Sequence, residues 1–185
     1  MLRWISILAL SFMYASMSFA QQGHSPYEGQ EKRVIKALSV QELNDYKKGS
    51  GMGMAKAAEL NHYPGPKHIL ELADKLTLSD EQKDRIRAAY DAMHTEAVSI
   101  GMMIIKQEEL LDRLFAHSLI DETQLDNITG EIGRLKGQLR AVHLKAHLVA
   151  KNILTEKQID AYDALRGYGQ DSSDEAGREH NHGHH

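Results

Sequence analysis

The chain has 185 residues, with 22 basic against 26 acidic side chains, a net charge of −4 and no cysteine. The acidic balance argues against a nucleic-acid binder, which would carry a basic patch. The lack of cysteine excludes disulfides, thiolate metal centres and cysteine nucleophiles. One domain with flexible ends is the simplest organisation at this length.

Residues 1–20 read as a secretory signal peptide: Arg3 supplies a positive start, Trp4 to Met13 an apolar run, and Ser18-Phe19-Ala20 a small-x-small cleavage site. The run falls short of the roughly 20 apolar residues that a membrane-spanning helix needs, and an uncleaved anchor is the alternative. Cleavage removes Arg3 and no acid, so the mature chain is more acidic still. Export without cysteine points to a soluble protein of the bacterial periplasm. Residues 21–37 are polar and aperiodic at first and form a flexible lead-in to a helical domain over 38–168.

Leu38-Ser39-Val40-Gln41-Glu42-Leu43 is a capping box with a hydrophobic staple, and predicts a short helix to about Lys48. Gly49-Ser50-Gly51-Met52-Gly53 ends it, Met54 to Asn61 suggests one or two further turns, and Pro66 suits the first turn of a helix to Lys75. From Ser79 to about Ala116, apolar residues recur in steps of four and three at Ile86, Tyr90, Met93, Ala97, Ile100, Ile104, Leu111 and Leu114. A second box at Asp121 to Gln124 restarts the pattern at Leu125, Ile128, Ile132, Leu135, Leu139, Val142, Ala146, Val149 and Ile153. This is a heptad seam of about four heptads on each arm.

Only a few residues separate the arms, so they must fold back as an antiparallel hairpin. One register satisfies the whole seam: Tyr90 with Val149, Met93 with Ala146, Ala97 with Val142, Ile100 with Leu139, Ile104 with Leu135, Leu111 with Ile128, and Leu114 with Leu125. A last helix should run through Ile159, Tyr162 and Leu165 to Gly167. Residues 169–185 form an acidic, then histidine-rich, disordered tail.

Two signals frame the hairpin, Leu78-Ser79-x-x-Gln82 and Leu154-Thr155-x-x-Gln158. Each is a helix start in which Ser or Thr caps and Gln reaches back to the cap. Read as L-[ST]-x-x-Q behind a signal peptide, they resemble the LTxxQ motif of the Spy/CpxP superfamily over roughly residues 51–168. The second copy fits letter for letter; the first has Ser79 in place of Thr. The resemblance implies an all-α, hooked four-helix protomer built on the long antiparallel hairpin and paired in a cradle-like homodimer. It also implies one of two functions: an ATP-independent periplasmic chaperone or stress adaptor for unfolded envelope proteins, with a membrane sensor protein as a further partner, or a heavy-metal-binding or sensing protein of metal resistance.

Residues off the seam bear on that choice. Met102, Met103 and Ile105 on one arm and Leu144 and Leu148 on the other are apolar surface that the seam leaves over, for a client or a second copy, unless the short helices cover it. Gly130, Gly133 and Gly137 permit close helix approach or simply lie on an open surface. His143 and His147 share a helical face at the spacing by which two imidazoles can hold a metal. The register places His94 beside His143, and His68 could complete a set for zinc, copper or nickel. In the tail, His180, His182, His184 and His185 form a separate metal-binding cluster. No cofactor is required. Leu144 stands where a zinc hydrolase would have its glutamate, the glycine loop lacks the lysine of a phosphate-binding loop, and nothing in the sequence suggests catalysis.

Overall fold

A computed structural model describes residues 25–168. These fall in two units, one ending at Lys32 and one beginning at Arg33. The described part of the first contains a single 3-10 turn, Gln30–Lys32. The described part of the second is helical, with α1 (Val40–Lys47), α2 (Lys56–Glu59), α3 (Pro66–Glu71), α4 (Asp80–Ala116), α5 (Glu122–Lys151) and α6 (Glu156–Arg166), and holds no strand.

Local chemistry sets these boundaries. Ser39, Asp121, Ser79 and Thr155 all cap their helices, and each has its reciprocal partner three residues on, so all four boxes are complete. Pro66 opens α3, where its missing amide costs no bond. Helix α6 stops at Gly167, whose φ of 77° is left-handed. The Gly167 amide donates to the Ala164 carbonyl and the Tyr168 amide to that of Asp163, a Schellman closure.

Helices α4 and α5 are the long antiparallel arms. Ala97, Ile100 and Ile104 of α4 share one core with Leu135, Leu139 and Val142 of α5, and Met93 packs against it. These are the residues that the single register pairs. Ile35, Leu38 and Tyr46 close the same core from the amino-terminal side, so the packed chain begins ahead of the Leu38 boundary suggested by the sequence. The contact is close: a Cβ on Gly101 would lie 2.3 Å from the Tyr46 carbonyl oxygen, so glycine lets α1 meet α4. Gly130, Gly133 and Gly137 have open space where a Cβ would stand; they lie on an outer surface.

A second core gathers Ile69, Leu76, Leu78, Ile86, Ala150, Ile153, Leu154 and Tyr162 where α3, α4, α5 and α6 meet. Here the sequence pattern fails in one pair. Val149 is 47% exposed and Ala150 takes the buried place, because an α-helix of 3.6 residues per turn drifts off a strict 3.5-residue seam. Among the described residues no helix is long and apolar enough to cross a membrane.

Candidate functional site

The two L-[ST]-x-x-Q signals meet. Gln82 Nε2 donates to Gln158 Oε1 at 2.9 Å, and Gln158 Nε2 donates to Gln82 Oε1 at 3.1 Å. Each Oε1 also accepts its own cap's backbone amide, from Ser79 and Thr155. Each Nε2 also donates to a chain carbonyl, Gln82 to Ile153 and Gln158 to Leu76. Leu78 and Leu154 are buried beneath. The motif is thus a junction between α4 and α6, and every polar atom of both amides is partnered.

The domain also holds a cavity of about 620 Å³. Its walls include His68, His94, His143 and His147, so the fold brings the four histidines singled out within the domain to one space. Each, however, has its own environment. His147 Nδ1 lies 2.7 Å from the Tyr63 carbonyl, which only accepts, so Nδ1 carries the proton. His68 Nδ1 contacts Glu71 at 2.9 Å. The His94 ring stacks on Tyr90 at 5.8 Å. His143 is buried and its Nε2 has no hydrogen-bond partner among the described residues. Burial, followed by the charge of His147, pushes the His143 pKa down and favours neutral imidazole. Among the described residues no three His, Asp or Glu side chains are placed to hold a metal ion. His180, His182, His184 and His185 lie outside the described residues.

One carboxylate anchors the cavity wall. Glu59, at the end of α2, accepts from the Tyr162 hydroxyl at 2.5 Å and the Tyr168 hydroxyl at 3.2 Å through Oε1, and from the Gly65 amide at 3.1 Å through Oε2. The Arg166 guanidinium is 3.4 Å away and His147 Nδ1 3.7 Å. Burial, then the Glu59 hydrogen bond, drives the Tyr162 phenol far above its ordinary range, so it serves as a fixed donor. Sequence reading missed this network, because Glu59 and Tyr162 are 103 residues apart and no local pattern links them. It also missed Glu108, buried on the inner side of α4 and bound to Lys136 of α5 at 2.9 Å.

The apolar surface is only partly as expected. Met102 is 48% exposed, Met103 43% and Leu148 51%, while Leu144 is half-buried. Ile105 is a correction: it is 8% exposed and belongs to the core with Ile35 and Leu38, because the amino-terminal segment covers its side of α4.

A family model described as "LTXXQ motif family protein" matches residues 65–166, from the start of α3 to the end of α6. The chain belongs to the LTXXQ motif family. Its matched span includes both boxes, the hairpin and the Gln82–Gln158 junction, and so coincides with the Spy/CpxP-type signature. No curated protein and no solved structure shows a significant match.

Proposed function

We propose that this LTXXQ protein is a non-enzymatic chaperone or stress adaptor of the bacterial periplasm, which works as a homodimer and holds unfolded envelope proteins on apolar surface. The observation that carries this reading is the exposure of Met102, Met103 and Leu148 on the hairpin, large apolar side chains outside both cores. Thioether side chains adapt to many shapes, which suits clients without a fixed sequence. On α5, helical spacing puts Gly130, Gly137, Ala141, Leu144 and Leu148 along one outer strip, small at one end and large at the other. Such a strip supports contact with a second copy or a client. Periplasmic residence is supported by the family and the amino-terminal sequence, and a membrane sensor is a further partner that the family suggests. The test is light scattering of a chemically denatured client diluted into buffer with and without the protein; no suppression at several-fold excess refutes the reading.

A second reading, binding of zinc, copper or nickel in metal resistance, is supported by His143 and His147, both buried and both lining the cavity shared with His68 and His94. It stands second because no three of the described ligands converge. Calorimetric zinc titration of the full chain, beside a variant with the four tail histidines changed to alanine and a His143→Ala/His147→Ala variant, assigns any binding to tail or cavity.

A further inference from the structure

The cavity that collects the histidines carries a charge opposite to that of the chain. Lys48, Lys56, Lys67 and Arg166 all line it, and Glu59 is the carboxylate among its described walls. That carboxylate is already occupied by two tyrosine hydroxyls, a backbone amide and Arg166. Lys48 and Lys56 make no ion pair among the described residues, and Lys67 has only a long contact with Glu71 at 3.9 Å. A protein of net charge −4 has thus gathered four cationic side chains from four separate segments around one space. Such a lining favours an anion, and cavity walls strengthen the field inside.

Two further observations point to a ligand. His143 lines the cavity and its buried Nε2 has no partner among the described residues, and a buried polar group left unpaired requires an explanation. The loop Gly49 to Gly53 also lines the cavity, and the amides of its exposed residues Gly51, Met52 and Gly53 donate to no acceptor among the described residues. Free amides beside lysines are the donors that phosphate oxygens use. The wall also has apolar members, among them Met93, Ala146 and Tyr90, and about 620 Å³ is room for an organic group as well as a charged head.

We propose that this cavity binds a phosphate monoester, its phosphate held by Lys48, Lys56 and Lys67 with the glycine-loop amides, and its organic part lying against Met93 and Tyr90. Phosphate is favoured over a lone carboxylate because three point-like ammonium groups from different segments match a doubly charged tetrahedral head, whereas a planar carboxylate is best met by a guanidinium fork. The site is separate from the exposed methionines, so it stands or falls independently of the chaperone reading.

The test is a titration of the full chain, labelled in its histidine rings, followed by NMR. The probes are inorganic phosphate, sn-glycerol 3-phosphate, and phosphatidylcholine vesicles with and without phosphatidic acid. The expected result is a saturable shift of the His143 and His147 ring signals with glycerol 3-phosphate, weaker with inorganic phosphate. A Lys48→Gln/Lys56→Gln variant, whose altered side chains are exposed and outside both cores, should bind roughly tenfold more weakly. A response to phosphatidic acid vesicles alone, lost in the same variant, assigns the phosphate to a lipid headgroup instead of a free metabolite. Absence of a saturable response to every probe, or binding that the lysine variant leaves unchanged, overturns the proposal.

Discussion

Gln82 and Gln158, 76 residues apart, exchange two amide hydrogen bonds while each caps its own helix. This explains why both boxes end in glutamine. A glutamate would cap as well, but it lacks the Nε2 donor, and its charge would face the Oε1 of the other box. Gln158→Glu should therefore cost about 1–3 kcal/mol in urea unfolding at neutral pH. In a cycle of Gln82→Ala and Gln158→Ala, the double variant should lose less than the two single losses added together, by at least about 0.5 kcal/mol. Strict additivity would mean that the junction contributes nothing beyond two independent caps.

Two glycine-to-alanine changes should move stability in opposite directions. Gly101→Ala drives a Cβ against the Tyr46 carbonyl and should cost about 1–3 kcal/mol by forcing α1 off α4. Gly133→Ala meets open space and should gain up to about 1 kcal/mol from helix propensity. Thermal melts of both variants check the pair.

These two glycines show how much of the fold was legible. Cap chemistry is local, so all four boxes could be read directly, and the heptad step carried the central seam from Met93 to Ile104 with its partners. What could not be read is whatever depends on a third element. Gly101 looks like any helical glycine until α1 lies on it. Ile105 looks exposed until Ile35 and Leu38 cover it. Val149 continues the seam on paper, but helical drift and the packing of α3 and α6 give its place to Ala150. At the site, helical spacing singled out His143 and His147 and the register added His94, and all three line the cavity, while the residues that fix its wall and charge, Glu59, Tyr162, Arg166 and the lysines, come from segments linked only by the fold.

Tyr162→Phe should cost about 1–2 kcal/mol, because it removes the hydroxyl that donates to Glu59 at 2.5 Å in a buried setting. The loss should be smaller in a Glu59→Gln background, since the two residues share one bond. Urea denaturation of the single and double variants measures the coupling.

His143 should make stability depend on pH above the carboxylate range. Its folded pKa is lowered by burial and by His147 from the ordinary 6.5. The unfolded chain therefore takes up the proton first. Stability is full above that value and falls as pH drops below it, by at most about 1.4 kcal/mol per pH unit, until the folded-state pKa is reached. Glu42 and Glu71, held below the ordinary 4.5 by hydrogen bonds from Ser39 and His68, lose their contribution only at more acid pH. A His143→Leu variant should flatten the upper part of the profile measured by urea denaturation between about pH 7 and pH 5; an unchanged slope contradicts the assignment.

The central claim is that apolar side chains left outside both cores hold unfolded proteins. Its most direct measurement compares the wild type with a Met102→Ser/Met103→Ser/Leu148→Ser variant in suppressing the aggregation of a chemically denatured client, after circular dichroism and urea unfolding show that the variant keeps its fold and stability. The account predicts strong suppression by the wild type and a large loss in the variant. Equal suppression by the two proteins, or none by either, would contradict it.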